Sequence, residues 1–566
     1  MLRTFSPLLL LALALVGCGP GAPSVEEIPA SDLTQFVNPF IGTGGHGHTF
    51  PGATRPFGMV QLSPDTRLEG WDGCSGYHYT DSVVYGFSHT HLSGTGVADY
   101  CDILFKPCVG SWRTNNGYES HPDSGYASFF SKASETAAPG YYRMALNEGI
   151  GVELTATERV GMHRYTFHEA ENAHVVLDLF HRDQLLDAGL ELVDDRTIRG
   201  FRRSKSWAQD QVVYFVAQFS KPMQDHLIEG DSLLYDNSPY SASQEAKAII
   251  NFDLNPGDTL LLKVGLSAVD WEGARKNLEA ELPHWDFDRV RQEAEDTWNV
   301  ELNKIRLDSP DEAEKTIFYS ALYHTMIAPN LFSDVDGRYR KALPKAKEDR
   351  EGMAPIGQLE DGQQQYTIFS LWDTYRATHP LYTIIDQERT NAYIQTFLRQ
   401  YQDGGQLPVW ELACNYTGCM IGYHSVSVMA DAYVKGIRDY DAQLALEAMR
   451  HSAGMSHLGL DALVEHGYIP SGEEPESVSK TLEYAYDDWC IATMAEAIGD
   501  KETHQVYSQR AQYYKNLFNP ENGFLMGRAN GGWHGPLPFR PEEVNFNYTE
   551  ANGWQYSLAA PHDITG

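Results

Sequence analysis

The chain has 566 residues, of which 43 are basic and 77 acidic, giving a formal net charge of −34. This excess of acid argues against nucleic acid as a partner, because proteins hold phosphate backbones with Lys and Arg. Hydrophobic residues make up 42% of the chain, so packed cores are expected, and the length corresponds to about two to four domains.

The first residues have the pattern of an export signal. Arg3 precedes an apolar stretch at 8–16 that is too short to span a membrane. Small residues then lead to Cys18 in a sequence that resembles a bacterial lipobox. We therefore predict a lipoprotein signal peptide over 1–17, lipidation of Cys18 and a tether over 18–35. The expected location is the periplasm or outer surface of a Gram-negative bacterium, with membrane contact through this anchor alone.

Six further cysteines are irregularly spaced and lack the paired CxxC pattern of structural zinc sites. Export permits disulfides, but so few cysteines in so long a chain do not form a disulfide scaffold. We expect mainly buried free thiols. The six are Cys74, Cys101, Cys108, Cys414, Cys419 and Cys490.

Strand patterns dominate the first half of the chain. From about 150 to 270, β-branched and aromatic residues alternate with polar ones between Gly, Pro and Asn, which is typical of a β-sandwich. The preceding stretch is rich in Gly, Ser and Thr, so strands mixed with functional loops are expected there. The predicted β-sandwich domain covers 36–282.

Helical periodicity begins near Asp286, which is placed to cap a linker helix within 283–308. Ser309 to Glu312 have the form of a capping box with Pro310 at the first helical position. A helical domain is predicted over 309–566. Its helices are expected at about 313–327, 387–402, 424–438, 441–453, 478–498 and 502–517, with shorter ones at 372–380 and 549–559.

Eight motifs follow one another along the chain. They lie at 38–48, 50–59, 70–77, 86–96, 371–376, 422–425, 477–489 and 548–556. Together they resemble glycoside hydrolase family 92, the calcium-dependent, exo-acting α-mannosidases abundant in Bacteroidetes. The resemblance extends from about residue 36 to the last residue.

The resemblance implies a β-sandwich packed on an (α/α)6 toroid, with the active site where the two domains meet. It implies hydrolysis of terminal α-linked mannose with inversion, on N-glycan or mannan-type glycans, assisted by Ca²⁺. In this family the catalytic base and the principal calcium ligands follow the equivalent of residue 566. We therefore expect an incomplete toroid and a catalytically incomplete chain, acting as a monomer.

The resemblance also assigns site residues. Glu550 is the expected general acid, because its Glu-Ala-Asn-Gly-Trp-Gln context matches the family motif for that role, with Ala551 where Gly is usual. A general acid must be protonated to give its proton to the departing oxygen. Trp554 in the same motif is expected to bind substrate.

Trp372 and Asp373 combine an apolar plate with a hydrogen-bond acceptor, as recognition of a pyranose requires. The family places this pair at the terminal-sugar subsite. Arg376 is expected to pair with Asp373 across one helical turn. The expected sandwich-side partners in substrate binding are Trp71, Asp72, Phe40 and Gly42.

Three other patterns have simpler explanations. His89 and His91 share one face of an extended strand, but no carboxylate accompanies them at ligand spacing, so structural roles are preferred to metal binding. Residues 334–337 lack the later ligands of a calcium loop, which favours a surface turn. Acidic residues interleaved with aromatic ones in the 477–489 motif are expected to line or brace the pocket. They are Glu483, Asp487 and Asp488.

The sequence thus predicts an exported, lipid-anchored α-mannosidase. One alternative is another sandwich-plus-toroid enzyme, such as a glycoside phosphorylase, which would require inorganic phosphate. A second alternative, from a different class, is a glycan-binding protein without catalysis.

Overall fold

The computed structural model describes residues 31–229, 246–343 and 353–566. Within these ranges a β-rich N-terminal domain is followed by a helical domain, as the sequence predicts. The predicted signal peptide and Cys18 lie outside the described residues. None of the described helices combines the length and the apolar character that crossing a membrane requires.

Two large antiparallel sheets form the N-terminal domain. Their apolar side chains share one core, to which the first sheet contributes Leu62 and Phe105 and the second Tyr165 and Phe215. The first sheet contains, in spatial order, Ala53–Thr54, Gln61–Asp65, Gly86–Ser88, Leu104–Cys108, His174–Asp178, Lys247–Asn251 and Asp225–Glu229. The second contains Gln184–Leu192, Thr197–Lys205, Gln211–Phe219, Asp258–Ser267, Val160–Phe167, Ile150–Ala156, Tyr141–Leu146 and Thr136–Ala138.

The first strand of the second sheet begins irregularly. Its pairing with Thr197–Lys205 is shifted by a bulge between Leu185 and Asp187. The chain reaches this strand through His181 and Arg182, which are both buried. This edge of the sandwich therefore brings two basic side chains into the protein interior.

The described residues contain twelve α-helices. They are α1 Trp271–Glu281, α2 Phe287–Leu302, α3 Glu312–Thr325, α4 Leu371–Thr374, α5 Thr378–Ile385, α6 Gln387–Gly404, α7 Ser425–Val434, α8 Ala442–Ser452, α9 Leu460–His466, α10 Ser477–Ile498, α11 Lys501–Arg510 and α12 Gly553–Tyr556. Asp286 caps α2 as predicted, since its side chain accepts from the Arg289 N–H. The Trp298 indole of α2 donates to the Thr54 carbonyl at 2.7 Å, which fixes this helix to the sandwich.

The predicted capping box at Ser309 is wrong. The side chain of Asp311 caps α3 by accepting from the Ala313 N–H, so the helix begins at Glu312 and Pro310 stays outside it. Ser309 Oγ instead donates to Glu314 Oε2 at 2.7 Å. The N-cap therefore lies two residues later than the pattern indicated.

Small sheets fill the connections. Their strands are Val83–Val84 with Ser128–Phe129, Asn330–Leu331 with Tyr366–Thr367, Arg338–Arg340 with Ile356–Gln358, Phe369–Ser370 with Trp410–Leu412 and Asn415–Tyr416, Phe518–Asn519 with Phe524–Leu525, and Gly527–Ala529 with Gly532–His534.

An apolar cluster, here called the interdomain cluster, joins the two domains. The sandwich contributes Leu92, Val97 and Tyr100, and the helical domain contributes residues that include Ile368 and Trp410. The remaining buried members are Ala208, Ala268, Phe332, Ala354, Leu412, Ala413 and Cys414. This shared core fixes the sandwich loops against the segment that leads into α4.

The six cysteines of the described residues are all free, and all but Cys419 are buried, as expected.

Candidate active site

The sandwich side of the interface presents two loops that hold each other. In the first, Gly42 has a φ of 87°, and a Cβ there would meet Thr49 Oγ1 at 3.0 Å, so glycine permits the fold of this loop. His46 Nδ1 of this loop lies 2.8 Å from Asp72 Oδ1, and the His48 ring meets the Trp71 ring edge-on at 4.7 Å. The structure thus brings Gly42, Trp71 and Asp72 together as the sequence predicts.

Trp71 is an exposed aromatic residue on this side, with 62% of its surface accessible. Its ring covers Gly96, where a Cβ would come within 2.4 Å of it. The hydrogen bond from His46 lowers the pKa of Asp72. Phe40, at the start of the first loop, packs edge-on against Tyr79 at 5.8 Å. An exposed ring beside an ionised carboxylate is a surface that suits a sugar face and its hydroxyls.

The helical side is built around Trp372 and Asp373 in the short helix α4. Asp373 is exposed and accepts a hydrogen bond from Ser370 Oγ. The expected pairing of Arg376 with Asp373 is wrong, because α4 ends at Thr374 and the guanidinium turns to Glu483 Oε1 at 3.1 Å. Trp372 Nε1 donates to the same oxygen at 3.3 Å.

Glu483 therefore braces the pocket from α10, as the sequence predicts for this segment. Tyr375 Oη donates to Glu483 Oε2 at 3.3 Å, and His424 Nε2 lies 3.2 Å from the same atom. Burial alone would raise the pKa of Glu483, but His424 and Arg376 lower it to about 2. The carboxylate is thus ionised and held by three hydrogen-bond donors and by its ion pair with His424.

The second partner of His424 is Asp487, whose Oδ1 lies 2.8 Å from His424 Nδ1. Burial lowers the pKa of this histidine, but the carboxylates of Asp487 and Glu483 outweigh it and raise the pKa to about 9. The Tyr375 ring stacks on the imidazolium at 4.0 Å. Asp488, one residue further, faces Arg510 at 2.9 Å and Tyr423 at 2.7 Å. All three acids of the motif thus brace the helices.

Glu411 is a supporting residue that the sequence analysis did not identify. Its buried carboxylate accepts from the Ile368 N–H at 3.1 Å and the Cys414 N–H at 2.6 Å. Ile368 and Cys414 both have positive φ values, 68° and 63°, a strained conformation for such residues. Burial raises the pKa of Glu411 to about 7, against the opposing effect of these hydrogen bonds. Glu411 thereby fixes the segment that leads into Trp372.

Glu550 lies on an anchored loop beside α10. The Thr549 N–H donates to Ser479 Oγ of α10 at 2.8 Å, and Asn552 forms a capping box with Gln555 at the start of α12. Glu550 itself is exposed and has a φ of 48°. The positive φ thus falls on Glu550 and not on Ala551, so alanine at 551 carries no such strain.

The neighbouring aromatic residues pack against other rings. Trp554 is 58% exposed and meets Phe524 edge-on at 4.8 Å, while Tyr548 and Tyr556 stack on each other at 6.0 Å. Trp554 therefore lies beside the Glu550 loop on its Phe524 side. None of these contacts tests the prediction that Trp554 binds substrate, and it stays a prediction.

Cys419 shows that the separate segments meet. Its thiol pKa is raised chiefly by burial and further by the nearby carboxylates of Glu550 and Asp373. Cys419 also packs against the interdomain cluster, to which Leu92 and Val97 belong, and this loop continues through Gly96 under Trp71. The Trp372 helix, the Glu550 loop and the sandwich loop that passes under Trp71 thus lie around Cys419 and the interdomain cluster, and the surface between them is here called the groove.

The two histidines of the 86–96 motif enter different networks. His89 Nε2 lies 3.0 Å from His163 Nε2, and burial lowers its pKa to about 4. His91 Nε2 lies 2.7 Å from Asp65 Oδ1. A carboxylate therefore does accompany His91, supplied by the fold rather than by sequence spacing.

Asp334 is buried, which corrects the prediction of a surface turn at 334–337. Its carboxylate accepts from Ser267 Oγ and Asn277 Nδ2, both at 2.8 Å. Burial raises its pKa to about 6, against these two hydrogen bonds. The turn packs against the end of the last sandwich strand and against α1, through Ser267 and Asn277, and its acids are engaged by protein donors.

Both domains match models of the same protein family. Residues 36–267 match the Glycosyl hydrolase family 92 N-terminal domain, and residues 273–566 match the Glycosyl hydrolase family 92 catalytic domain. The curated proteins include an uncharacterized secreted glycosidase from Arthroderma benhamiae. It is 26% identical over an alignment that covers 94% of this chain and 71% of that protein.

Two solved structures from Bacteroides thetaiotaomicron are also similar. One is a family GH92 alpha-mannosidase with 38% identity and a TM-score of 0.88, covering 94% of this chain and 72% of that one. The same enzyme has been solved in complex with mannoimidazole. The other is a family GH92 inverting mannosidase with 30% identity and a TM-score of 0.81, covering 93% of this chain and 71% of that one. These matches confirm the predicted order of a sandwich domain and a helical catalytic domain, and the chain belongs to glycoside hydrolase family 92.

Proposed function

We propose that this family 92 glycoside hydrolase is an exo-acting α-mannosidase that releases terminal α-linked mannose with inversion. The observation that supports the proposal is that the two domains share the interdomain cluster, beside which the Trp71, Trp372 and Glu550 segments lie. Two similar proteins are mannosidases, one of them an inverting one, and one has been solved with mannoimidazole. We extend the same substrate class to this chain.

In this proposal each segment has one task. Trp71 and Trp372 supply apolar plates for the sugar ring, and the carboxylates of Asp72 and Asp373 accept hydrogen bonds from its hydroxyls. Glu550 gives its proton to the glycosidic oxygen as the bond from that oxygen to the anomeric carbon breaks. Water attacks the anomeric carbon from the opposite face as a second carboxylate takes its proton, so the released mannose has inverted configuration. The exposed position of Glu550 leaves room for the leaving group.

We further propose that the reaction depends on Ca²⁺, on the strength of the family resemblance. Ca²⁺ prefers carboxylate, carbonyl and water oxygens. Within the described ranges, the cluster whose atoms are close enough to hold an ion is Asp65, His91 and Cys101. Its nitrogen and sulfur atoms do not suit Ca²⁺. This cluster thus does not fit a calcium site, and no step is assigned to the ion.

The lipid anchor at Cys18, export from a Gram-negative cell and a monomeric state complete the proposal. Support for export comes from the similar fungal protein, which is described as secreted. Acyl-chain labelling of the expressed protein, compared with a Cys18→Ser variant, tests the anchor.

The function is tested by product analysis of the full-length gene product with α-mannobioses. The expected result is free mannose, released first as the β-anomer in NMR spectra, lost with a chelator and restored by Ca²⁺. Formation of mannose 1-phosphate in phosphate buffer would instead identify a phosphorylase. Binding of mannobiose without any product would identify a glycan-binding protein.

A further inference from the structure

The loop that carries Trp71 and Asp72 is closed at its base by the main chain. The Thr66 and Arg67 N–H groups both donate to the Gly76 carbonyl, at 2.8 and 3.0 Å. Between these points the chain turns through the 3₁₀ helix Trp71–Gly73. Gly76 itself has no room for a side chain, since a Cβ would come 2.4 Å from Asp65 Oδ1.

Beneath this loop lies the buried guanidinium of Arg182. Its Nη2 donates to the Gly73 carbonyl at 2.7 Å and to the Cys74 carbonyl at 3.3 Å. Its Nη1 donates to the Arg67 carbonyl at 3.4 Å. One side chain from a distant strand edge thus joins the first residue of the loop to the residues that follow Trp71 and Asp72. A planar, multidentate donor suits this task, which a point charge would not perform equally well.

Arg182 is itself held by a buried cluster. The carboxylate of Asp65 lies between His91 Nε2 at 2.7 Å and His181 Nε2 at 2.9 Å, and His181 is the residue next to Arg182. Arg182 Nη1 also contacts Cys101 Sγ at 3.6 Å. All these side chains are buried, so the arginine has little freedom to turn away from the carbonyls.

These contacts favour a positioning role over a metal site for the cluster. The Asp65 oxygens are already engaged by the two imidazoles, and the guanidinium beside Cys101 opposes a second positive charge at the thiol. The tip of the loop, in contrast, is not buried, because the Trp71 ring is largely exposed. Its orientation depends on the backbone beneath it.

We infer that Arg182 is a positioning residue for sugar recognition, which fixes the loop backbone so that Trp71 and Asp72 face the groove. This inference rests on the proposed function, because it takes Trp71 and Asp72 as residues that contact the terminal sugar. Arg182 acts through them and does not touch substrate.

A double-mutant cycle tests the inference. Mannoimidazole binding to the full-length gene product is measured by calorimetry for wild type, Arg182→Met, Trp71→Ala and the double variant. We expect each single variant to bind about tenfold more weakly, Trp71→Ala because it loses the aromatic contact with the sugar and Arg182→Met because its charged hydrogen bonds to the loop carbonyls are lost. The double variant should lose less affinity than the two single losses combined, because the part of the Arg182 effect that passes through Trp71 is already absent in Trp71→Ala. Arg182→Lys should recover part of the affinity.

Arg340→Met is the matched control. Arg340 is also buried and donates to three carbonyls, those of Ala268, Val269 and Ala354. Its loss should lower the melting temperature. Mannoimidazole affinity should stay within about twofold, because none of its three acceptors lies in a loop that carries a proposed sugar contact. An equal loss of affinity in this control would show that Arg182 acts through general stability, and would overturn the inference.

The other outcomes separate the two proposals. Independent, additive losses in the double variant, or full affinity in Arg182→Met, would overturn the inference while the proposed function stands. If wild type itself does not bind mannoimidazole, the proposed function fails. Should Arg182→Met not fold, Arg182→Lys takes its place, and its loss of affinity must be smaller in the Trp71→Ala background than in wild type.

Discussion

The two sides of the groove are held in place by different means. On the sandwich side, Arg182 fixes main-chain carbonyls beneath an exposed loop. On the helical side, Glu483 fixes side chains, those of Trp372 and Arg376. A loop leaves backbone groups to be satisfied by others, whereas a helix satisfies its own and leaves the side chains free to be oriented. Each half is therefore held at the groups that its secondary structure leaves free: backbone carbonyls in the sandwich loop and side chains in the helical half.

The comparison also separates the halves by charge. Glu483, His424 and Asp487 form a buried chain of carboxylate and imidazole contacts in the helical half. In the sandwich half the guanidinium of Arg182 meets neutral carbonyl acceptors, and the carboxylate of Asp65 with its two histidines lies beneath it.

The largest expected effect follows from breaking the charged chain. Glu483→Gln should lower the free energy of unfolding by about 3 kcal/mol, because it leaves the His424 imidazolium with one buried partner. Urea denaturation measures the change. Glu496→Gln on the exposed face of the same helix should be neutral, and equal stability of the two variants would refute the bracing role.

Glu550→Gln should leave stability unchanged, since the side chain is exposed. It should reduce turnover of natural mannobioses by about 10²-fold, the lower range for loss of a general acid. Aryl mannosides with activated leaving groups should suffer less, because their departure needs no proton. Steady-state kinetics with both substrates, using Glu542→Gln as control, decide the matter; equal losses on both would remove Glu550 from this role.

A smaller effect, on mannoimidazole affinity, is expected for Asp373, the exposed carboxylate of the helical half. Asp373→Ala should weaken mannoimidazole binding about tenfold by removing a charged hydrogen-bond acceptor, with no change in melting temperature. Asp361→Ala, another exposed aspartate, provides the baseline. A large fall in melting temperature with unchanged affinity would make Asp373 a structural cap of α4.

The smallest effect concerns pH. The pKa of His424 is raised to about 9 in the folded protein from an ordinary 6.5. Its stabilisation is therefore complete below pH 6.5 and is lost as pH rises through 9. Melting temperatures should fall across this window in wild type and fall less in His424→Gln. Burial raises the pKa of Asp488 to about 7, so this residue titrates in wild type and in His424→Gln alike and contributes equally to both. If the melting temperatures of the two proteins fell in parallel with pH, the role assigned to His424 would be contradicted.

Local signals in the sequence predicted much of the fold. The alternation of polar and apolar residues predicted the sandwich strands. The Asp286 cap and the spacing of the apolar residues after it predicted α2. Helix α9 was missed because it has seven residues and lies between Gly459 and Gly467, both left-handed. Helix α1 was missed because it directly follows a strand and carries Gly273 in its first turn. Short helices bounded by glycine contain too few periods to detect.

The candidate site was predictable where a motif was contiguous, and not where partners came from distant segments. Arg376 pairs with Glu483, 107 positions away, whereas spacing alone favoured Asp373. His91 finds its carboxylate in Asp65, 26 positions away. Arg182 and Glu411 carry no local motif at all, because their role is to bind backbone groups that any residue possesses.

The interdomain cluster has a consequence for how such an enzyme can evolve. Leu92, Val97 and Tyr100 of the sandwich complete a core that Ile368 and Trp410 of the helical domain begin. Neither domain can be transferred to another protein as a separate module without exposing this surface and dividing the groove. The two must therefore be inherited and diversify together, and a change of specificity on one side has to be accommodated by the other.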